Sequence, residues 1–377
     1  MADRTRLLIA GGGPAALEAV LAVQRLASER LQITLLSDRD EFVYRPVAVA
    51  EPFGLGSPEH FSLPAIAAER GLDFRLGVVR EVDVAGRRVV CGDGESLAYD
   101  ALLLALGARA DEAIPGALTF RGPQDSRRLR EALESLDRGA PLRVAFVAGP
   151  ETGWTLPLYE LALMTVRWSA ERGLAVEPWI VTYEHRPLSV FGERAATDIA
   201  ALLHDAGVRL WTGAFVDAVE DGRVWVDIEG GLPVDLAVAL PRHLGPALRG
   251  LPHDTDGFVE VDEHGRVRGL EDVYAAGDMT SRPLKQGGLA TQQADVAAAA
   301  IAAAAGAQVE AERYRPVLRA MLLTGDRPRY LRRATTDRGQ TFDHAPWWPP
   351  HKIAGRELAP YLTAHPELRL HSTHPSS

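Results

Sequence analysis

Apolar positions run unbroken through Leu7-Leu8-Ile9-Ala10, stop at Gly11-Gly12-Gly13, and resume with helical spacing from Ala15 to about Ala27. A continuous apolar run bounded by a turn predicts a strand buried on both faces, and the change of period predicts a helix leading away from it. A second strand, Leu31–Leu36, ends in Ser37-Asp38, and an irregular segment follows through Phe42-Val43-Tyr44-Arg45-Pro46 to Pro52-Phe53-Gly54. Loops of this kind over the C-terminal edge of a parallel sheet line ligand sites. Residues 71–107 read as a strand, a hairpin (Val78–Val84 and Arg88–Cys91 about Ala85-Gly86), and a buried strand, Ala101–Leu106, introduced by Tyr99-Asp100.

The same pattern recurs. Gly71-Leu72-Asp73-Phe74-Arg75-Leu76-Gly77 is echoed by Gly207-Val208-Arg209-Leu210-Trp211-Thr212-Gly213, each followed by an alternating hairpin and an Asp (Asp100, Asp235) that opens an apolar strand. A similar offset lays Gly13-Pro14 over Gly149-Pro150. The chain thus predicts an α/β fold of two Rossmann-like three-layer domains, the second inserted in the first, each with a small antiparallel insert, followed by a short C-terminal segment. The expected boundaries are 1–115 with 245–312, 116–244, and 313–377.

The first turn suits a diphosphate. Gly11 permits the tight turn, Gly13 lets a pyrophosphate approach the backbone, and Pro14-Ala15-Ala16 opens a helix whose free N–H groups carry partial positive charge. Asp38 follows the second strand, where an acid holds a ribose. Alone, the turn also reads as a glycine-rich strand-to-helix connection, and context turns it toward a dinucleotide site. The second turn departs from the pattern, with Val147 at the first glycine position, Thr152 at the third and Trp154 after Gly153. Glu184, at the end of Trp179–Tyr183, is nonetheless placed for a ribose. That module is either a remodelled nicotinamide-nucleotide site or a scaffold. Later, Val273–Ala276 stops at Gly277-Asp278, and Lys285-Gln286-Gly287-Gly288 leads into a helix from Leu289. The Asp278 carboxylate can accept from a sugar-alcohol hydroxyl, and the helix N-terminus offers positive potential.

Composition narrows the classes. With 377 residues, a formal net charge of −10 and no long basic run, the chain is not a nucleic-acid binder. No apolar stretch is long enough to span a bilayer, and the Ala-rich Val296–Ala305 reads as a buried helix segment. The start, Met1-Ala2-Asp3-Arg4, has no signal architecture, so a cytoplasmic protein is expected. A single cysteine, Cys91, excludes an intramolecular disulfide, a Cys-x-x-Cys pair and any multi-cysteine metal site, and it reads as a semi-buried strand residue.

Gly11–Ala16, Tyr99-Asp100 leading to Ala105-Leu106-Gly107-Ala108, and Tyr274–Asp278, in that order, resemble the flavoproteins with two dinucleotide-binding domains, the pyridine nucleotide-disulfide oxidoreductase superfamily. The resemblance implies FAD in the first module: pyrophosphate at Gly11, Gly13, Pro14 and Ala15, adenine ribose at Asp38, adenine at the Val79 backbone, and the ribityl and pyrophosphate groups at Asp278. It extends the site to Ala105, Gly107, Gly277, Gly288 and Leu289, with Ser37 standing where many relatives carry their acid. Tyr44-Arg45-Pro46 and Gly288–Ala294 look most like sulfide:quinone reductases and type II NADH dehydrogenases, which puts Arg45 and Pro46 beside the flavin. Where disulfide-reductase relatives carry a cysteine pair, this chain has Pro46–Glu51. Disulfide reduction and cysteine-mediated sulfide oxidation are therefore excluded.

The leading expectation is a soluble FAD-dependent oxidoreductase reduced by NAD(P)H, with Gly149 and Glu184 holding the nicotinamide dinucleotide and a quinone, redox protein or other small acceptor taking the electrons. The alternative keeps FAD without NAD(P)H, as an electron-transfer partner or a flavin-bound interaction or sensor protein. Lys285 reads either as a cation near the ring or as a solvated loop lysine, and Arg327–Arg338 as a docking face or a solvated one. Trp347-Trp348-Pro349-Pro350 has three readings: a flap over the flavin, a platform for an aromatic substrate, or a clamp on the core or a partner subunit. His344 and His351, beside it, read as surface histidines. Length and two modules are compatible with a homodimer.

Overall fold

The computed structural model describes residues 4–136, 142–227, 230–334 and 338–370; Met1–Asp3, positions 335–337 of the arginine-rich stretch and the polar tail after 370 lie outside them. The first domain begins with β1 (Thr5–Ala10), α1 (Pro14–Ala27), β2 (Leu31–Ser37), β3 (Asp73–Leu76) and β4 (Ala101–Leu104). The second contains β5 (Leu118–Thr119), β6 (Leu142–Ala148), α2 (Leu156–Glu171), β7 (Val176–Thr182), β8 (Arg209–Thr212) and β9 (Leu236–Ala239). The chain then returns with β10 (Val273–Ala275) and α3 (Gly287–Ala304).

Two five-stranded sheets result, ordered β10-β4-β1-β2-β3 and β5-β9-β6-β7-β8. Every pairing within them is parallel, and β1 and β6, the strands that lead into the two glycine turns, sit at the centres of their sheets. The repeat read in the sequence is a repeat of topology. Burial on both faces explains the composition: Leu7, Leu8, Ile9 and Ala10 are all inside, as are Val144–Ala148.

Helices α1 and α3 share one core over the first sheet, where Ala16, Ala19 and Val23 meet Ala294, Ala297 and Ile301. Small side chains on both helices let the backbones approach closely, and the Ala-rich run is an interior helix. Among the described residues no helix is long and apolar enough to cross a membrane.

Each insert is a three-stranded antiparallel sheet, not the hairpin the alternation suggested. The missed strand of the first, Ser96–Ala98, is too short to carry a period. The C-terminal segment also exceeds expectation. It forms an antiparallel sheet of β11 (Val317–Leu322), β12 (Arg329–Ala334) and β13 (Gln340–Phe342), then the short helix α4 (Leu358–Ala364).

Between them the chain straps the domains together. Glu18, fully buried in α1, accepts N–H bonds from Glu357 and Leu358 at 2.8 Å each and so caps α4. The hydroxyl of Tyr44 accepts the Ile353 N–H at 2.7 Å, and Lys352 pairs with Glu160 of α2. Trp347 meets Tyr330 edge-on with 5.5 Å between ring centroids and donates its Nε1–H to the His351 carbonyl at 3.1 Å. His351 is half-buried rather than on the surface, its ring edge-on to Tyr44. Trp348 is 86% exposed.

Candidate functional site

The turn after β1 is built by backbone alone. Gly11 N–H reaches the Leu36 carbonyl and Ala105 N–H the Ala10 carbonyl, both at 2.7 Å, which extends the sheet ladder past the last strand residue. Gly11 has φ +138°, and a Cβ there would lie 2.2 Å from the Ala105 oxygen, so only glycine fits. At Gly13 a Cβ would meet nothing within 4 Å: the space beside this backbone is open.

Helix α1 starts at once, with Pro14 in its first turn, no side chain capping it and no acid beside it. The Leu17 N–H is satisfied by the Gly13 carbonyl. The N–H groups of Ala15 and Ala16 have no intrahelical acceptor and carry the positive end of the helix dipole toward the open side.

These groups line one groove of about 510 Å³. Along it lie Gly11, Gly13, Pro14, Ala15, Asp38, Arg45, Pro46, Val79, Ala105, Gly107, Gly277 and Asp278. Gly277 (φ +80°) is wedged between the two helix starts: a Cβ would sit 3.3 Å from the Ala15 Cβ and 3.4 Å from the Ala290 Cβ. Its N–H donates to the Gln293 Oε1 at 3.0 Å. Burial pushes the Asp278 carboxyl up to about 6, against the pull of Lys285 and Arg45. Burial likewise lowers the Arg45 guanidinium, helped by neighbouring Arg39.

Some residues lie elsewhere. Gly288 and Leu289 do not line the groove; Gly287 and Ala290 do. Leu289 points into the core of the second domain, and its N–H is taken by the Gln286 side chain at 2.8 Å. Trp347 is held against Tyr330, and the tail residue that reaches the groove is Ile353. Ser37 is buried under the turn, its hydroxyl accepting the Arg39 N–H at 3.2 Å, while Asp38 is exposed on the rim. Arg39, Glu41 and Ile353 were not singled out from the sequence; the first two sit one and three positions past the predicted ribose acid.

Lys285 is not a solvated lysine. It is 9% exposed, donates from Nζ to the Thr280 carbonyl at 2.6 Å and lies over the Phe258 ring at 3.7 Å. Burial lowers it to about 8, with Asp278 pulling the other way. Its backbone N–H bonds the Gly153 carbonyl at 3.0 Å, and a Cβ on Gly153 would strike its Cγ at 2.4 Å. The turn of the second domain is therefore braced against the loop before α3.

In the second domain Gly149 is buried in a tight turn closed by the Thr152 N–H at 3.1 Å. Trp154 stands half-buried, edge-on to Phe191 at 5.9 Å between centroids. Glu184 is inside the domain and not on its rim: it accepts the Tyr159 hydroxyl at 2.6 Å, and burial pushes it up to about 7 despite bonds from Tyr159, Thr155 and Thr182. The residue follows its strand as expected from the sequence, and its carboxylate is turned to the interior. Cys91 is buried in the core below the first sheet, and burial raises its thiol.

The family model for pyridine nucleotide-disulphide oxidoreductases matches residues 5–304. The chain belongs to that family. One relative of this pyridine nucleotide-disulphide oxidoreductase is an NADH dehydrogenase-like protein of Mycobacterium tuberculosis, 29% identical over 302 residues (74% of this chain, 73% of the relative). Another is the ferredoxin–NAD(+) reductase component of the biphenyl dioxygenase system of Paraburkholderia xenovorans, 31% identical over 313 residues (75% and 69%). The fold matches the sulfide:quinone oxidoreductase of Aquifex aeolicus with a TM-score of 0.80 at 18% identity, covering 90% of this chain and 86% of that one. The cofactor of the family is FAD, and the groove fits it. Open backbone at Gly13 and the uncapped start of α1 suit the pyrophosphate, Asp38 and Asp278 offer acceptors to sugar hydroxyls, and the start of α3 lies at the far wall.

Proposed function

We propose that this chain is an FAD-dependent oxidoreductase that takes electrons from NADH or NADPH and passes them to a quinone or other small acceptor, or to a redox protein, without a cysteine pair. FAD when bound supplies the two-electron chemistry, and the chain orients it and sets its electrostatics. Ala15 and Ala16 N–H groups hold the diphosphate, and Asp278 accepts from the sugar alcohol. The start of α3 and the buried Lys285 place positive potential beside the groove, which favours added negative charge there. Pro46 and Ile353 exclude water from its inner wall.

The observation that carries this reading is the single groove in which the Gly11–Gly13 turn, the Gly277-Asp278 turn and two helix N-termini converge. The relatives' names support a nicotinamide donor. The test is anaerobic mixing of FAD-loaded protein with NADH, then NADPH, while the visible flavin band is followed. Bleaching within seconds supports the proposal. Persistence of the band with both would overturn the choice of donor.

A second reading rests on the placement of Glu184. With that carboxylate occupied inside the domain, a redox protein meeting the flavin edge would serve as the electron source. Reduction by a ferredoxin-type protein, with none by either nicotinamide, would select it.

A further inference from the structure

On the other side of α3 from the flavin groove lies a cavity of about 320 Å³, where both domains and the C-terminal sheet meet. Its walls are apolar, from Val190, Pro283, Leu284, Leu289, Pro316 and Leu318, and its volume falls at the small end of small-molecule sites. Two guanidinium groups, Arg282 and Arg333, stand in these walls, and among the described residues no Asp or Glu does. Among the described residues neither arginine pairs with a carboxylate. Arg282 stacks over the Tyr314 ring at 4.3 Å and gives one N–H to the Asp262 carbonyl at 3.1 Å. Its Nε is buried with no hydrogen-bond partner. Arg333 donates to the Val190 carbonyl at 2.7 Å.

Two cations against apolar walls, one with an orphaned buried N–H, form an unfinished electrostatic arrangement: a buried donor left unmade costs free energy that an acceptor would recover. We propose that this cavity is a second ligand site, and that it binds a small aromatic carboxylate, ring against the apolar walls and carboxylate on Arg282 and Arg333. The site is separate from the FAD groove but tied to it. Gln293 lines the cavity, and its Oε1 accepts the N–H of Gly277, which lines the groove, and the Thr280 hydroxyl (3.1 Å). A ligand here presses on the residue that fixes the Gly277-Asp278 turn, so occupancy is reported in the flavin spectrum.

The test uses FAD-loaded protein titrated with 1-naphthoate and, separately, with the uncharged 1-naphthamide, by calorimetry and by difference absorbance of the flavin. Saturable one-to-one binding of the acid, at least tenfold tighter than the amide, is expected. In the variant Arg282→Met/Arg333→Met that preference should vanish, and in Leu318→Trp, which fills the cavity and keeps both charges, binding of either should be lost. FAD content and the rate of flavin reduction stay as in the parent. Equal affinity for acid and amide, unchanged binding in the Leu318→Trp variant, or no binding at millimolar acid would each overturn the proposal. None of these outcomes depends on which donor reduces the flavin.

Discussion

Lys352 Nζ lies 2.6 and 2.8 Å from the two carboxylate oxygens of Glu160, 192 positions away in the chain, with both side chains inside the protein. The Glu160 Oε1 also accepts the Leu323 N–H at 2.8 Å, so one carboxylate fixes both β11 and the tail to α2. Burial lowers the ammonium and raises the carboxyl, and their mutual attraction opposes both shifts.

Removing only the lysine leaves a buried carboxylate without its counter-charge. Lys352→Met should lower unfolding free energy by about 3–5 kcal/mol, measured by urea titration. The double variant Glu160→Gln/Lys352→Met should lose less than the lysine variant, because no lone charge remains and the amide oxygen that replaces the carboxylate can still accept from the Leu323 N–H.

The two glycines of the first turn should separate fold from ligand. Gly11→Ala forces a Cβ to 2.2 Å from the Ala105 oxygen at φ +138°, and should cost roughly 3 kcal/mol or more, beyond the ordinary range for single substitutions. Gly13→Ala meets open space, and should cost the apoprotein at most ~1 kcal/mol. It should still weaken FAD by about tenfold or more, equivalent to ~1.4 kcal/mol, since the methyl stands where the pyrophosphate approaches. Paired thermal unfolding and FAD titration check both.

Glu184 should matter for stability and not for the nicotinamide ribose. Its folded value, about 7, lies above the 4.5 of a free carboxyl. Its protonated form is therefore favoured by folding, and that contribution is complete below pH 4.5 and fades as pH rises through 7. Glu184→Gln should flatten the fall in stability across that window, by on the order of 1–3 kcal/mol. The KM for NADH should change less than about twofold, well under the tenfold of 1.4 kcal/mol. A large KM rise with an unchanged pH profile would return Glu184 to the ribose.

Lys285→Met withdraws a buried cation from the neighbourhood of Asp278 and the groove. The flavin potential should fall by ~30 mV, the two-electron equivalent of about 1.4 kcal/mol. Spectroelectrochemical titration measures it. A potential that does not move would make Lys285 only a brace for Gly153.

What could be read from the chain is what local physics writes into neighbouring residues. Leu7–Ala10 followed by three glycines states a buried strand and a turn needing no side chains. Gly277-Asp278 after Val273–Ala276 repeats that logic, and the two passages meet in the groove. The antiparallel sheet from Val317 onward was less legible, because its half-buried strands share their arginine content with solvated loops. Least legible were contacts across the fold. Nothing local to Lys352 names Glu160, and nothing local to Ile353 names the groove. One clue was present in Glu18, a lone acid within the apolar run Ala15–Val23, which marks an interior partner to be found. The Glu184 position followed from topology, whereas its direction was decided by Tyr159, set by the packing of α2.

The bond from the Ile353 N–H to the Tyr44 hydroxyl joins positions 309 apart, and it places the last wall of the groove against the first. The pocket therefore cannot be completed during translation until residue 353 has left the ribosome tunnel. The glycine turn is made early and the last wall late, so the groove stays open on the Ile353 side until the tail has docked.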